Sequence, residues 1–380
     1  MKIGFDAKRA FHNSRGLGNF SRTLINGLVT YHPENEYSLY TPPIKNELYL
    51  RWQNELCEKG KVEVFSPTSG VMKSLPALWR SVMLSKDLAK TELDIYHGLS
   101  HELPPGIERL DLKSVVTIHD LIFMRFPKYF PWIDRKTYKW KFSHSCEKAN
   151  HIVAICNQTK RDLINFMNIP EEKITVLYQA IDPQFYQAWE QKKLQDHREK
   201  YKLNRPYFLH VGALEERKNA LNLINAYAFL EENKNYDLIL IGHGKSYKDL
   251  VERRIKELGM QDRIRIMGHV PFTDLPGFYQ SASLFVWPSF FEGFGLPIVE
   301  ALFSKCPVIT SEGSVFPESG GEKTIYINPN KPEEIKKAIK NVLESQSLRD
   351  EMIEAGYLHA QKFTLKNTTN KLNSFYQSIL

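Results

Sequence analysis

The sequence predicts an α/β protein built from two doubly wound parallel-sheet domains facing across a cleft. Three observations lead there. Short apolar, β-rich runs alternate with helix-period segments along the whole chain, the pattern of parallel strands covered by helices on both faces. The alternation is interrupted by a charged, core-poor stretch, 187–205, and then restarts, which separates two halves and marks that stretch as the linker. Finally, residues 284–302, LFVWPSFFEGFGLPIVEAL, carry a strand, a glycine-broken turn and a helix start in immediate succession.

The elements follow in order. Residues 2–5 are a first strand, an apolar run close behind the first methionine. A long loop through Gly18 leads into a helix at about 20–30. Strands follow at 37–41 and 62–65, a helix at 78–90 and a strand at 95–97. Residues 115–119 are a clear strand, with His119 and Asp120 at its C-terminal end. Helix 142–149, strand 152–155, helix 159–167 and strand 174–177 complete the first half. After the linker come strand 207–211, helix 219–229, strand 238–241, helix 247–258 and strand 263–267. Strand 284–287 and its helix lead to strands 308–309 and 324–327. Helices at 332–344 and 348–360 and an amphipathic tail, 366–380, end the chain.

Composition narrows the class. At 380 residues the chain holds two ordinary domains, and 42% hydrophobic with 25% charged residues is the balance of a soluble globular protein. No apolar run approaches the ~20 residues of a membrane span, and the opening MKIGFDAKRA has no signal-peptide core, so a cytoplasmic protein is expected. The four cysteines are scattered with no CxxC pair, as for reduced thiols. The formal charge of +7 suits an anionic partner. Residues 124–148 concentrate it, with seven Lys or Arg against two acids and aromatics between them, a composition suited to an anionic membrane surface at the inner face of the plasma membrane or to a lipid-linked acceptor. No zinc-finger or RNA-binding signature points to nucleic acid.

The strand–turn–helix at 284–302 makes an anion site. Free amides and the helix dipole favour negative charge where a strand turns directly into a helix. Glu292 and Glu300 both reach the crevice at the strand's C-terminal end, where open α/β sheets bind ligands. Amides would hold phosphate and carboxylates would accept from sugar hydroxyls, each such bond contributing ~1.5–3 kcal/mol. Arg217 and Lys218, in a loop after strand 207–211, could neutralise a diphosphate. The pair Gly16 and Gly18 lacks the third glycine and the acidic partner of a dinucleotide fingerprint, so NAD is not expected. No D-x-D pair occurs to hold a divalent metal.

Glu292-Gly-Phe-Gly-Leu-Pro-Ile-Val-Glu300 resembles the E-x7-E signature of retaining, nucleotide-sugar-dependent glycosyltransferases with the GT-B fold, the family-4 type. Other segments fall in that family's order: Gly16-Leu-Gly18-Asn-Phe, Asp94-Ile-Tyr-His97-Gly, Thr117-Ile-His119-Asp120, Val211-Gly212 through Arg217-Lys218-Asn219, Pro307-Val-Ile-Thr-Ser, and Pro317-Glu318. The resemblance spans nearly the whole chain. It implies an N-terminal Rossmann-like acceptor domain over 1–190, a C-terminal Rossmann-like nucleotide-sugar domain over 200–361, and a last helix, 362–380, crossing back onto the first. It implies that Arg217, Lys218 and the amides around Phe294, Gly295 and Leu296 hold the diphosphate, that Glu300 binds the ribose, and that Glu292 binds sugar hydroxyls. Gly16 and Gly18 would let backbone approach the donor, the Val270 position would contact the base, and His119 and Asp120 would face the reacting sugar. Ala213 stands where the family places an arginine, and Arg217 is the substitute. The resemblance implies no cofactor and no metal, only a nucleotide-sugar co-substrate. Within the family, the E-x-R-K-N loop and FDAKRA opening resemble mannosyltransferases of bacterial surface-polysaccharide pathways, which favours GDP-mannose, with a UDP-hexose as the alternative donor and a glycan or lipid-linked acceptor. An epimerase, a phosphorylase or a non-catalytic scaffold on the same fold are the rival readings.

Overall fold

The computed structural model describes residues 1–14, 16–67 and 79–380. The chain divides into two units, Met1–Ala180 with Phe363–Leu380, and Ile181–Lys362. In the first unit, seven strands form one parallel sheet: β1 (Lys2–Asp6), β2 (Glu36–Tyr40), β3 (Lys61–Phe65), β4 (Ile95–Gly98), β5 (Lys113–Ile118), β6 (His151–Ala154) and β7 (Ile174–Val176), in the spatial order β3-β2-β1-β4-β5-β6-β7. In the second, β8 (Tyr207–Val211), β9 (Asp237–Ile241), β10 (Ile264–Met267), β11 (Leu284–Trp287), β12 (Val308–Ser311) and β13 (Ile325–Ile327) lie in the order β10-β9-β8-β11-β12-β13, again all parallel. The order of each sheet reverses once, between β1 and β4 and between β8 and β11, and such reversals open a crevice at the strands' C-terminal ends.

The central strands β4, β8 and β11 are buried along their whole length because both of their faces are covered. Successive side chains point to opposite faces. Ile95, Val115 and Val153 therefore enter one core of the first unit, while Tyr96, Val116 and Ile152 enter the other. The first of these cores also receives Leu372, Phe375 and Tyr376 from the C-terminal helix Leu365–Ile379, which packs on the helix Gly16–Tyr31. Fully buried His97 fixes that helix: its Nδ1 lies 2.6 Å from the Tyr376 hydroxyl and its Nε2 2.7 Å from Thr117 Oγ1. Burial, with His119 nearby, lowers its pKa to about 3, so it is a neutral structural linchpin.

Several expectations need correction. The segment read as a loop through Gly18 is helical: Lys8–His12 is a short helix and Gly16–Tyr31 is continuous. The reason is tertiary, since a Cβ on Gly18 would sit 1.7 Å from the Asn13 carbonyl oxygen, so glycine is required where the two helices meet. The charged linker stretch holds a helix, Gln191–Lys200, whose buried His197 packs on Phe278 and hydrogen-bonds the Asp274 carbonyl at 3.1 Å. The helix expected at 142–149 begins at Trp132, ten residues earlier, and its first nine residues are all exposed, so no apolar stripe announces them. Pro297 is the second residue of the helix Leu296–Phe303. The helix expected at 78–90 begins at a residue outside those described; Trp79–Met83 and Leu84–Leu88 are its described turns. The helices Glu47–Lys59 and Leu275–Ser281 have no counterpart in the sequence reading.

Candidate active site

The crevice of the second unit is formed by the loops that leave β8 and β11. After β8 the chain runs through a 3₁₀ turn, Glu216–Lys218, to Asn219, which sits in the left-handed region at φ +59. Asparagine tolerates that conformation better than most residues. Its buried amide donates to the carbonyls of Pro288 (3.0 Å) and Pro329 (2.7 Å), tying this loop to the one after β11. The Arg217 carbonyl accepts from the Phe290 N–H at 2.9 Å, a second tie. After β11 the chain turns through Gly295, at φ +90, into the helix Leu296–Phe303, which has no side-chain N-cap. Phe294 and Gly295 are buried and Leu296 is the first helical residue.

These ties bring Arg217, Lys218 and Glu292 together. Lys218 Nζ donates to Glu292 Oε1 at 2.6 Å and Arg217 donates to Oε2 at 2.9 Å. The Ser289 hydroxyl donates to Oε1 at 2.7 Å. Arg217 also pairs with the half-exposed Glu215 at 2.6 Å, and Lys218 lies over the Trp287 ring, 4.8 Å from its centroid. Glu292 is only 6% exposed. Burial by itself would raise its carboxyl, but Lys218 and Arg217 with their hydrogen bonds outweigh it and pull the pKa to about 2. Glu292 is therefore ionised at any working pH and serves, in this state, as the counter-ion of both cations.

Glu300, in the second turn of the helix, accepts from the Tyr279 hydroxyl at 2.9 Å. Here burial dominates: the carboxyl is pushed up to about 7, with Asp182 adding to the shift and the Tyr279 bond opposing it. Val270 follows β10, the outer strand on the far side of β9 from β8.

In the first unit, His119 follows β5 and is 5% exposed. Its Nε2 lies 2.9 Å from the Leu99 carbonyl, which can only accept, so Nε2 carries the hydrogen and Nδ1 accepts from Gln179 at 3.3 Å. Phe20 sets its edge against the ring at 4.6 Å, which places the helix that opens with Gly16 and Gly18 beside His119. Burial lowers His119 to about 4. Asp120 Oδ1 accepts from the Ile122 N–H at 3.1 Å and starts the next helical turn.

Ser289 and Tyr279 were not singled out by sequence, and Asn219 was named only as the end of the E-x-R-K-N loop, without a structural role. For Asn219 a signal existed, an asparagine before a helix where a left-handed residue fits. Tyr279 comes from an unanticipated helix, and Ser289 is one serine among many. Among the described residues no group of three or more His, Cys, Asp or Glu could hold a metal ion.

Comparison with known proteins matches this architecture. Residues 15–185 match the model of Glycosyltransferase Family 4 and residues 191–359 that of Glycosyl transferases group 1. The chain is 30% identical over 389 residues to O-antigen chain mannosyltransferase B of Escherichia coli, covering 99% of each. It is 28% identical over 233 residues to O-antigen chain mannosyltransferase RfbU of Salmonella typhimurium, covering 60% of each. Among solved structures, sucrose-phosphate synthase of Thermosynechococcus elongatus aligns with a TM-score of 0.78 at 16% identity over 100% of this chain and 99% of that one. Anabaena HepE, solved with UDP and glucose, aligns at 0.74 and 19% over 100% of both. At such identities these structures speak for the fold alone, the two-sheet GT-B fold. Full-length similarity, two family models end to end and a carboxylate–cation cluster at the β8–β11 crevice agree: the chain belongs to the family-4 glycosyltransferases.

Proposed function

We propose that the chain is a retaining mannosyltransferase that takes its sugar from GDP-mannose and adds it to a hydroxyl of a glycan or lipid-linked acceptor in surface-polysaccharide assembly. The observation that carries the reading is the buried cluster in which one glutamate bridges Arg217 and Lys218 beside an uncapped helix start. The full-length relative named a mannosyltransferase supports the sugar. In this reading Arg217, Lys218 and the amides at Phe294, Gly295 and Leu296 take the diphosphate, Glu300 takes the ribose, and the Val270 backbone meets the base. Glu292 accepts from sugar hydroxyls and stabilises positive charge at the anomeric carbon.

The electrostatics explain why the cluster is neutral at rest. Two buried cations without counter-ions would be costly, so Glu292 and Glu215 compensate them until the donor arrives. When the sugar–phosphate bond breaks, charge grows on the leaving diphosphate, and fixed donors stabilise it without reorganisation. The acceptor hydroxyl attacks from the same face, and the departing phosphate oxygen takes its proton. His119 acts as a neutral hydrogen-bonding group, because a ring with a pKa near 4 is uncharged at neutral pH, and Asp120 positions the turn behind it. No divalent metal and no cofactor is required by this scheme.

The reading includes a cytoplasmic enzyme that meets the membrane through 124–148. No helix among the described residues is long and apolar enough to cross a membrane. The exposed start of the helix Trp132–Lys148 instead presents Trp132, Ile133 and Trp140 among Arg135, Lys136 and Lys139, a surface suited to anionic headgroups.

The test is a thermal-shift panel without metal, using GDP, UDP, ADP and their common sugars. A ligand at a hundred times its dissociation constant stabilises by ~2.7 kcal/mol. Selective response to GDP and GDP-mannose is expected. A response to UDP species alone would overturn mannose as the sugar, and silence towards every nucleotide would overturn the donor site.

A further inference from the structure

The Glu300 carboxylate has one hydrogen-bond partner among the described residues, and that partner is a buried tyrosine. The Tyr279 hydroxyl donates to Oε2 at 2.9 Å and makes no other hydrogen bond there. Tyr279 is 0% exposed. Its ring packs on Phe285 of β11, with centroids 5.3 Å apart, and on Phe185, at 5.8 Å. A phenylalanine would fill the same space with no polar atom to satisfy, so what the hydroxyl adds is its bond to the carboxylate. Glu300 itself is only partly buried, and its Oε1 has no partner among the described residues. The bond therefore occupies one oxygen and leaves the other for a ligand. Asp182 comes from the turn that carries Phe185: its Oδ1 accepts from the Gln184 N–H at 3.0 Å and opens the turn Pro183–Phe185.

Two neighbours act on Glu300 with opposite sign. A hydrogen-bond donor favours an ionised carboxylate, and a second negative charge disfavours it. Burial dominates and raises the Glu300 carboxyl, the Tyr279 bond lowers it, and the Asp182 charge raises it further. Arg217 and Lys218 act on Glu292 instead. Cys306 adjoins Tyr279, and burial pushes both the thiol and the phenol up, so both keep their protons at working pH. The Tyr279 hydroxyl is therefore a fixed donor. We propose that Tyr279 is a positioning residue of the nucleotide site: its hydroxyl pins Oε2 of Glu300 and turns Oε1 to the ribose hydroxyls, with Asp182 as the opposing charge. This rests on the reading of Glu300 as the ribose ligand and adds what makes it competent. Because the bond is strongest to the ionised carboxylate, Tyr279 favours the form that accepts from hydroxyls, and Asp182 favours the protonated one.

The experiment uses the full chain in two ways. GDP is titrated by calorimetry across the range around neutral pH, and isotope-labelled glutamate carboxyls are followed by NMR over the same range without ligand. Glu300→Gln identifies the Glu300 signal and should flatten the affinity profile. Tyr279→Phe should move the carboxyl titration and the affinity midpoint to higher pH, and should weaken GDP about tenfold at neutral pH. Asp182→Asn, which keeps an oxygen for the Gln184 amide, should move both midpoints to lower pH and tighten GDP on the acid side. A merely structural role would weaken GDP in both variants without opposite displacements. Displacements of the same sign, or a Tyr279→Phe profile that matches the wild type, would overturn the proposal. Silence of the wild type towards every nucleotide would instead sink the donor reading, while the carboxyl titrations of the ligand-free chain would still decide whether Tyr279 and Asp182 act on Glu300.

Discussion

Glu292→Gln should separate donor binding from catalysis. The substitution keeps the shape and removes one negative charge from between Lys218 and Arg217, which hold it at 2.6 and 2.9 Å. A phosphate oxygen on the far side of the Lys218 ammonium would lie ~5 Å from that carboxylate, and two unit charges at that distance repel by ~3 kcal/mol at an effective dielectric of ~20. Screening and relaxation will absorb part of this, so GDP should bind about 5- to 30-fold more tightly to the variant. GDP-mannose should gain less, because it loses an acceptor for its sugar hydroxyls. Transfer should fall by about 100- to 1000-fold, the loss typical of one transition-state contact. The fold will suffer as well: leaving two buried cations partly uncompensated costs ~3–5 kcal/mol. Calorimetric titration of GDP and GDP-mannose, well below the variant's melting temperature, together with a transfer assay, checks all three. Weaker GDP binding with undiminished transfer would refute both the competition and the catalytic role.

Further predictions follow from the same geometry. Glu300, whose carboxyl is pushed up from the ordinary 4.5 to about 7 in the folded protein, contributes stability that is complete below the unfolded value and lost as pH rises through 7. If its ionised form holds the ribose, nucleotide affinity should climb through that same range, and Glu300→Gln should flatten the profile, as fluorescence titration against pH would show. Glu292 has the opposite sign: its contribution is present above the unfolded value and lost only as pH falls towards 2. Glu215→Gln removes a half-exposed competitor for Arg217 and should tighten GDP only slightly, by ~0.2–1 kcal/mol. Gly18→Ala forces a Cβ onto the Asn13 carbonyl and should lower the melting temperature by separating the two N-terminal helices. Transfer should persist in excess EDTA; strict dependence on Mg²⁺ or Mn²⁺ would refute the metal-free scheme.

The sequence by itself determined the two-fold alternation of strand and helix, because fully covered parallel strands must be apolar on both faces and so stand out as short continuous runs. It also located the turn at Gly295, where φ +90 demands glycine, and the membership of Arg217, Lys218, Glu292 and Glu300 in one family pattern. Elements with little buried surface were illegible. The exposed first half of the helix Trp132–Lys148 has no apolar stripe to read, and the helix Gln191–Lys200 anchors itself through one buried histidine inside a run of charge. Tertiary structure alone decided how the site residues relate. Sequence offered Arg217 and Lys218 as diphosphate ligands and Glu292 as a sugar ligand, acting separately. Folding the β8 and β11 loops together, with Asn219 as the tie, makes them one ionic cluster, since charges removed from water must find each other. Burial pushes both carboxyls up, yet Glu292 ends at about 2 and Glu300 at about 7, although the two are eight residues apart in sequence, because only Glu292 meets cations when the chain closes around it.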